Sequence, residues 1–398
     1  MRLMILSLIW KAVKEMSRIE ELIKEKCPDG VQYVSLNTVC DVYDGTHSTP
    51  KYINQGIRFV SVENIGNIYA SEKYISQEDY NRFKITPQIN DVFMTRIGSI
   101  GVCTVVDREE PLAYYVSLAL LRPDKDVLNS YFLKYAIESF EGKKELYKRT
   151  LINAVPIKVN KDDIGKILIP VPPIEVQQEI VRILDKFTEL EAELKTELDA
   201  RKKQYEYYRE TMLSFNNDIE IVTLDKCADI GTGSSNTVDG IDDGVYPFFV
   251  RSQKPLTMNK FEYDEIATIT AGDGVGVGKV FHFIDGKYAL HQRAYRIHIT
   301  DKRINPKFFH CYFVARFPKF IFGNMYEGSV PSIRRPMLNK FEVPIPSMEE
   351  QNRIVDILDK FEEYCNNEEK GLLAEIEVRH KQYEYYRDKL LTFERKVV

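Results

Sequence analysis

A long segment occurs twice in this chain of 398 residues, and this internal repeat constrains the fold more than any other feature. The blocks IVRILDKF (180–187) and IVDILDKF (354–361) differ at one position. The heptapeptide KQYEYYR begins at both Lys203 and Lys381. The blocks are 174 residues apart and the heptapeptides are 178 apart, so the later copy carries four extra residues. A repeat of this length predicts a duplicated architecture.

Both copies carry a heptad pattern. Starting at Ile180 and at Ile354, apolar or aromatic residues recur in alternating steps of four and three, which predicts two coiled-coil helices. In the second copy two steps of four follow each other at Glu368, and this stutter absorbs the extra residues. The seam residues predicted to contact a partner helix or subunit are Ile180, Leu184, Phe187, Leu194, Leu198, Tyr205, Tyr208, Ile354, Leu358, Phe361, Leu372, Ile376, Tyr383 and Tyr386.

Two similar helices in one chain most simply pack against each other. A single amphipathic helix is more often part of a core, but the duplication, the length and the sustained seam favour an antiparallel coiled coil. About forty residues would give a rod of roughly 60 Å, with a globular region at each end. Tyr207 and Tyr385 lie outside the seam, and the pattern leaves open whether they are surface residues or partner contacts.

The regions between the helices repeat as well. Short β-branched and aromatic runs, separated by Gly, Asn, Asp and Pro, predict strands in both. The segments VQYVSLNTVCDVYDG and IEIVTLDKCADIGTG match at a constant offset of 188, and Asn129 matches Asn305 before a helical pattern. The predicted fold class is α/β in the α+β sense: two globular domains of mixed sheet and helix, separated by two long helices.

These patterns divide the chain into five segments. The first contains the apolar leader MRLMILSLIWKAVKE, which imitates a secretion signal but has a short apolar core and no clear cleavage site. We therefore expect translation to start at Met16. The predicted segments are the leader and N-terminal helix (1–29), the first globular domain (30–168), the first coiled-coil helix (169–215), the second globular domain (216–342), and the second coiled-coil helix with the tail (343–398).

Charge is distributed unevenly along the chain. The net charge is −5, yet basic and acidic residues number 17 and 17 in 30–168, and 16 and 15 in 216–342. The acidity belongs to the helices, so charge neither supports nor excludes nucleic-acid binding by the globular domains. Six scattered cysteines without CxxC spacing predict a reducing, cytoplasmic setting, and no apolar stretch approaches the roughly 20 residues of a membrane span.

Three catalytic patterns are excluded or disfavoured. The NPPY, DPPY and FxGxG signatures of methyltransferases are absent. The run AGDGVGVGK (271–279) lacks P-loop and GxGxxG spacing, which favours a tight connection between strands. Pro123-Asp124 with Glu141 and Lys143 formally matches a PD…ExK nuclease, but Glu141 falls in a helical pattern. Chemistry on this chain is therefore not expected.

The sequence resembles the specificity subunit of type I restriction-modification systems over residues 16–393. The resemblance is carried by MSRIEELIKEKCPDGVQYVSL at 16–36, by the Pro-rich block with LDKF at 170–187 and its copy at 344–361, and by the two KQYEYYR tails. It implies that 30–168 and 216–342 are target recognition domains, each reading half of a split double-stranded DNA site. It also implies that the helices fix the half-site spacing and dock two methyltransferase subunits, which restriction subunits join.

Polar and basic loop residues are the candidates for DNA contact. Arg can read guanine, Asn and Gln can read adenine, and Lys mainly contacts phosphate. Arg96, Arg251, Gln292 and Arg293 are the first choices, and a solvated surface group is the alternative for each. The full set is Thr46, His47, Ser48, Arg58, Asn64, Arg96 and Lys158 in the first domain, with Ser234, Ser235, Asn236, Arg251, Lys279, Gln292, Arg293, Arg334 and Arg335 in the second.

Three hypotheses of function follow from these observations. The first is a non-catalytic DNA specificity subunit without a metal or cofactor of its own, whose partner subunits would bind S-adenosylmethionine, ATP and Mg²⁺. The second is a fused nuclease or methyltransferase, which the missing signatures disfavour. The third is a coiled-coil scaffold, which leaves the two duplicated sheet domains unexplained.

Overall fold

The structure is a computed structural model, and part of the chain lies outside its described residues. Met16 and the leader before it are outside, as is Glu368, where the predicted stutter falls. The described ranges are 17–216, 218–322, 332–366 and 371–396.

The chain divides into two compact units. Unit 1 comprises Met1–Leu194 and Ile376–Val398, and unit 2 comprises Lys195–Glu375. Each unit therefore combines one globular region with part of each repeated segment. The five segment boundaries given above remain predictions.

Short strands form the framework of both globular regions. Many of their side chains are apolar and buried, as in Val92–Thr95, where all four residues are buried. In unit 1 the strands are β1 (Tyr33–Ser35), β2 (Cys40–Asp44), β3 (Ile57–Val60), β4 (Tyr74–Ile75), β5 (Val92–Thr95), β6 (Cys103–Val105), β7 (Leu112–Tyr114), β8 (Leu118–Pro123) and β9 (Leu168–Pro170). In unit 2 they are β10 (Ile221–Thr223), β11 (Ala228–Thr232), β12 (Tyr246–Phe249), β13 (Leu256–Met258), β14 (Tyr263–Ala271), β15 (Phe281–Leu290), β16 (Ala294–Ile299) and β17 (Glu342–Pro344).

The sheet connections repeat between the units. Unit 1 has a four-stranded sheet in the order β2-β8-β5-β6 and a three-stranded sheet β4-β3-β7, whereas unit 2 has a six-stranded sheet β11-β16-β14-β15-β12-β13. A parallel pair occurs in each unit, β3 with β7 and β12 with β15. Val34 pairs with Ile169 and Val222 with Val343, which places the matched sequence segments in equivalent antiparallel pairs. The predicted mixed fold and its duplication are confirmed.

The helices include the long repeated segments. Helix α6 has 39 residues and is about 58 Å long at 1.5 Å per residue. The second copy contains two described helices, of which the first ends at Asn366 and the second begins at Leu372. The helices are α1 (residues 17–26), α2 (Gln77–Tyr80), α3 (Ser130–Glu138), α4 (Phe140–Tyr147), α5 (Lys161–Ile164), α6 (Ile174–Met212), α7 (Leu224–Cys227), α8 (Pro306–Phe322), α9 (Arg335–Asn339), α10 (Met348–Asn366) and α11 (Leu372–Leu390).

Within unit 1, the first part of α6 packs antiparallel to α11. The Phe187 and Tyr386 rings stack with centroids 5.2 Å apart, and Glu191 Oε2 lies 3.2 Å from His380 Nδ1. Because the residue number rises along α6 as it falls along α11, the helices run in opposite directions. Ile180 and Leu184 are fully buried at this contact region, as the seam predicts.

Within unit 2, the second part of α6 meets α10 in the same way. The Tyr205 and Tyr208 rings lie 6.4 and 5.6 Å from that of Phe361. Ile354 and Leu358 on α10 are buried in the unit 2 core. Tyr208 touches Phe361 but is 38% exposed, so at this position the seam is only partly covered.

The pattern at 129–150 predicts one helix, but the structure contains two. Ser139 adopts an extended backbone and its hydroxyl accepts a hydrogen bond from the Gly142 amide at 3.2 Å, which begins α4. A Cβ on Gly142 would lie 2.1 Å from the Ala136 carbonyl oxygen. The turn therefore depends on a glycine that approaches the end of α3 closely, which helical periodicity does not reveal.

Asn129 and Asn305, which the sequence pairs, are equivalent helix caps. Each side-chain oxygen accepts from two backbone amides at the start of α3 or α8. The backbone amide of each Asn in turn donates to the side-chain oxygen of a fully buried glutamine, Gln177 at 2.8 Å and Gln351 at 2.7 Å. The side-chain amide of Gln177 also donates to the Val127 and Pro172 carbonyls. The side-chain amide of Gln351 donates to the equivalent carbonyls, those of Arg303 and Pro346. This buried connection ties each globular region to its long helix.

Both ends of the chain contribute to unit 1. Val31 pairs with Arg395 in a parallel bridge, and its amide donates to the Glu394 carbonyl at 2.8 Å. Ile19, Leu390 and Phe393 belong to the same buried cluster. The segment after α11 therefore closes a core that begins at α1.

His310 on α8 is a partly buried, neutral group in unit 2. Its Nδ1 lies 3.3 Å from the Thr268 hydroxyl, and its ring packs against Phe283. Burial, followed by the charges of Lys307 and His282, lowers the pKa of His310 to about 3. In the unfolded chain a histidine takes up its proton near pH 6.5. Between these values the unfolded state binds more protons, so stability falls as pH falls.

We expect His310 to contribute acid sensitivity to unit 2. Between pH 7.5 and 5.0, the wild-type chain should lose about 2 kcal/mol more unfolding free energy than His310→Gln, because glutamine keeps a hydrogen-bonding group but does not titrate. Urea unfolding followed by circular dichroism at both pH values measures the difference. Equal losses in the two proteins would show that His310 does not carry this effect.

Candidate nucleic-acid interface

Five separate segments meet at one end of the unit 2 sheet. They form a surface that we call the unit 2 edge, and backbone hydrogen bonds join them. The Gln292 backbone amide donates to the Ser235 carbonyl at 2.9 Å. The Gly272 amide donates to the Arg293 carbonyl at 2.8 Å, and the Ile333 amide donates to the Gly272 carbonyl at 2.7 Å. The unit 2 edge consists of residues 234–236, 251, 272–273, 291–293 and 332–335.

The side chains of the unit 2 edge are polar and partly paired. The side-chain amide nitrogen of Gln292, Nε2, donates to Asn236 Oδ1. Arg251 Nη1 and Arg293 Nη1 lie 2.5 and 3.2 Å from the two oxygens of Asp273. Four of the predicted DNA contacts thus come together although the sequence separates them by up to 57 residues.

Glu262 holds the loop after β11. Its oxygens accept hydrogen bonds from the Ser234 amide at 2.9 Å and the Ser235 hydroxyl at 2.7 Å. The Ser234 backbone amide and the Ser235 hydroxyl are therefore engaged by a carboxylate that sequence reasoning missed. No local motif marks Glu262, which lies within the run NKFEY directly after three exposed residues.

Unit 1 has an equivalent surface, the unit 1 edge, consisting of residues 44–48, 61–64, 96–97, 115–117 and 158–159. The Val116 amide donates to Thr46, the Arg96 amide to Ser117, and the Val159 amide to Arg96, each at 3.0 Å. These three bonds correspond to the three that close the unit 2 edge. The two units thus share one backbone scheme and carry different side chains on it.

In both units, a glycine in the loop after the first strand of the larger sheet allows that loop to approach the backbone of another segment closely. A Cβ on Gly45 would lie 2.5 Å from the Tyr115 carbonyl oxygen, and one on Gly233 would lie 1.7 Å from that of Leu290. These are the glycines that the sequence aligns at an offset of 188. The alignment of these two glycines therefore indicates an equivalent close backbone contact at each edge, and not only a turn.

Three candidates of the first domain have side chains engaged within the protein, and their contact with DNA remains a prediction. Arg96 is only 6% exposed, pairs with Asp44, and donates to the Val159 carbonyl at 3.1 Å, so its observed contacts brace the edge. Asn64 accepts the Ser61 amide at 3.0 Å and caps a turn. Arg58 pairs with Glu110 at 2.7 Å, at the far end of β7 from the edge.

The remaining candidates stay predictions, and the structure gives their positions. His47, Ser48 and Lys158 are exposed at the unit 1 edge, and Thr46 is partly buried there with its hydroxyl donating to Ser48. Lys279 is exposed in the connection between β14 and β15, which confirms that the glycine-rich run joins two strands. The exposed candidates of unit 2 are Ser234, Asn236, Lys279, Gln292, Arg293, Arg334 and Arg335.

A cleft with basic walls adjoins the unit 1 edge. It has a volume of about 840 Å³ and runs between the 43–51 loop and residues 82–85. Lys51, Lys84 and Lys161 are exposed along it, while Arg82 pairs with Glu78 and Asp79 on the surface. Lysines in such a position suit phosphate contact. The sequence analysis predicted Thr46, His47 and Ser48 in the lining of this cleft, but it missed the three lysines, which lie up to 110 residues apart.

The two edges offer hydrogen-bond donors, acceptors and positive charge. Among the described residues, no group of three or more His, Cys, Asp or Glu side chains is placed to hold a metal ion. None of the helices in that part of the chain has the length and apolar character that crossing a bilayer requires. Arginine and amide side chains at loop ends can read base edges.

Two repeated sheet domains, each presenting polar and basic loops at one edge and each tied to a long helix, define a tandem nucleic-acid recognition protein. The family model described as "Type I restriction modification DNA specificity domain" matches residues 28–200 and 216–378. The chain belongs to this family, which confirms the resemblance seen in the sequence.

Curated relatives agree with the family. The specificity subunit of the type I restriction enzyme EcoR124I/EcoR124II of Escherichia coli is 34% identical over 258 residues, covering 57% of this chain and 63% of that protein. A putative type I restriction enzyme specificity subunit of Haemophilus influenzae is 29% identical over 344 residues, covering 74% of this chain and 87% of that protein. The match thus spans under two thirds of the first relative and most of the second.

Solved structures show the same fold. The crystal structure of the type I restriction-modification S subunit from M. genitalium has a TM-score of 0.57 and 14% identity, covering 91% of this chain and 96% of that chain. A chain from a structure on complex assembly and conformational transition of the type I R-M system has a TM-score of 0.60 and 16% identity, covering 91% and 97%. At these identities the likeness concerns the fold.

Proposed function

We propose that this chain is the sequence-specific DNA-binding specificity subunit of a type I restriction-modification complex. Each globular domain, 30–168 and 216–342, reads one half of a bipartite double-stranded DNA site. The observation that carries the proposal is the repeated edge. Two equivalent backbone schemes present different side chains, which suits two domains that read different base sequences.

The long helices are proposed to set the half-site spacing and to dock two methyltransferase subunits, which restriction subunits join. Tyr207 and Tyr385 support the docking role. They occupy the same place in the two KQYEYYR segments and are 67% and 62% exposed. Exposed aromatic side chains are frequent anchors of protein interfaces, so two equivalent ones suit two copies of one partner.

The chemistry is assigned to partner subunits. We propose that this chain is non-catalytic and that S-adenosylmethionine, ATP and Mg²⁺ are bound by the methyltransferase and restriction subunits. The expected location is the cytoplasm. A fused nuclease or methyltransferase is not supported by the relatives, which are specificity subunits.

A binding and methylation assay tests the proposal. Mapping methylated adenines in the host genome gives the target site, and shift assays then use duplexes with and without that site. We expect the chain with its methyltransferase partner to bind and methylate the site, and exchange of 30–168 for a relative's domain to change one half-site only. Methylation by the purified chain alone, or an unchanged site after the exchange, would contradict the proposal.

A further inference from the structure

Asp273 occupies the centre of the unit 2 edge, between two candidate DNA-reading arginines. Arg251 Nη1 lies 2.5 Å from one carboxylate oxygen and Arg293 Nη1 lies 3.2 Å from the other. The side chains of Arg251 and Arg293 remain 38% and 59% exposed, whereas that of Asp273 is 27% exposed. The carboxylate thus lies beneath two guanidinium groups that solvent and DNA can reach.

The glycine-rich run around Asp273 explains how the carboxylate reaches both arginines. A Cβ on Gly272 would lie 2.7 Å from the Arg293 carbonyl oxygen, and one on Gly276 would lie 2.6 Å from that of Arg251. Gly274 between them has a φ of +79°, a conformation that other residues rarely adopt. The loop therefore touches the backbone of both arginine-bearing segments, with Asp273 between the contacts.

The surrounding groups keep this arrangement ionised and fixed. Partial burial tends to raise the pKa of Asp273, but Arg251 and then Arg293 hold that pKa below its usual range. Burial, followed by the charge of Arg251, lowers the pKa of His291. A neutral His291 ring accepts the Arg293 amide at its Nδ1 at 2.9 Å. The backbone that carries Arg293 is therefore held from two sides.

We propose that Asp273 is a positioning residue for DNA sequence recognition, holding Arg251 and Arg293 as a pair aimed at guanine edges. This inference rests on the proposed DNA-reading function and adds a residue to it. An arginine reads guanine well only in a fixed bidentate geometry, whereas any arginine can contact a phosphate. An acidic residue at a DNA-binding surface opposes general affinity for DNA, so its benefit must lie in specificity.

This role gives Asp273→Asn an unusual signature. The variant removes one negative charge from the edge and leaves the two arginines free to turn toward phosphates. We expect affinity for the cognate duplex to fall about tenfold, while affinity for unrelated duplex stays equal or rises. The salt dependence of binding should steepen by about one unit of slope, since about one more phosphate contact is made.

The test uses the chain in complex with its methyltransferase partner, and duplexes that carry the mapped site or a scrambled one. Asp225→Asn is the matched control, because Asp225 is exposed before β11, at the opposite end of that strand from the edge, and its loss changes the charge equally. Asp273→Glu keeps the charge but moves the carboxylate, so we expect a smaller loss of specificity. In a background that carries both Arg251→Ala and Arg293→Ala, Asp273→Asn should have little further effect on the cognate duplex.

The outcomes separate the two levels of the proposal. Failure of the wild-type complex to prefer its site would overturn the DNA-reading function itself. If the wild type prefers its site but Asp273→Asn leaves the ratio of cognate to scrambled affinity unchanged, the positioning role is wrong. An equal loss on both duplexes with a lowered melting temperature would also overturn it, since that pattern indicates a structural role alone.

Discussion

Arg293→Ala is expected to weaken binding of the cognate DNA site by about 2 kcal/mol, which is roughly a 30-fold loss. Arg293 is exposed at the turn between β15 and β16, and its guanidinium pairs with Asp273. Removing a bidentate base contact loses the discrimination that it supplied, so the loss should be confined to sequences with the cognate base pair. Competition shift assays with single-base variants of the site measure it.

Arg303→Ala provides the control. Arg303 has a similarly exposed side chain, 53% against 59%, and it also pairs with carboxylates, Asp301 and Glu220. It lies after β16, away from the unit 2 edge. Its removal should leave the preference for the site unchanged. Equal effects of the two substitutions would mean that Arg293 contributes only general charge.

Gln177→Leu is expected to destabilise unit 1 by about 3 kcal/mol. The glutamine is fully buried, accepts the Asn129 amide, and donates to the Val127 and Pro172 carbonyls. Leucine fills similar space but leaves those three backbone groups unpaired, at about 1 kcal/mol or more each. Urea unfolding followed by circular dichroism measures the change.

The neighbouring glutamine is a direct control. Gln178 on the same helix is exposed, so Gln178→Leu should change the stability by less than about 0.5 kcal/mol. Gln351→Leu should repeat the effect of Gln177→Leu in unit 2, because its three hydrogen bonds are equivalent. A loss in only one of the two repeats would argue against a shared role for the buried glutamine.

The sequence predicts the fold well where periodicity and duplication carry the information. Equivalent caps at Asn129 and Asn305, equivalent pairs at Val34 and Val222, and buried Ile180 follow from patterns that the chain contains twice. Each such pattern depends on local spacing, which a single sequence shows directly.

The candidate site is harder to predict because it depends on burial and on distant partners. Arg96 and Arg293 look alike in sequence, but Arg96 is covered and paired with Asp44 whereas Arg293 is exposed. Asp273 and Glu262 were missed because acidic residues are not expected at a DNA-binding surface. Their roles appear only when the arginines and serines that they hold are brought to them by the sheet.

The pairing of Val31 with Arg395 has a consequence for the order in which the protein forms on the ribosome. All residues of unit 2 have been synthesised once Glu375 is added. Unit 1 then still lacks most of α11 and the segment that follows it. The first domain to emerge is thus the last to be finished. A nascent chain released before Leu390 and Phe393 are added lacks part of the first core even though every residue of 30–168 is present.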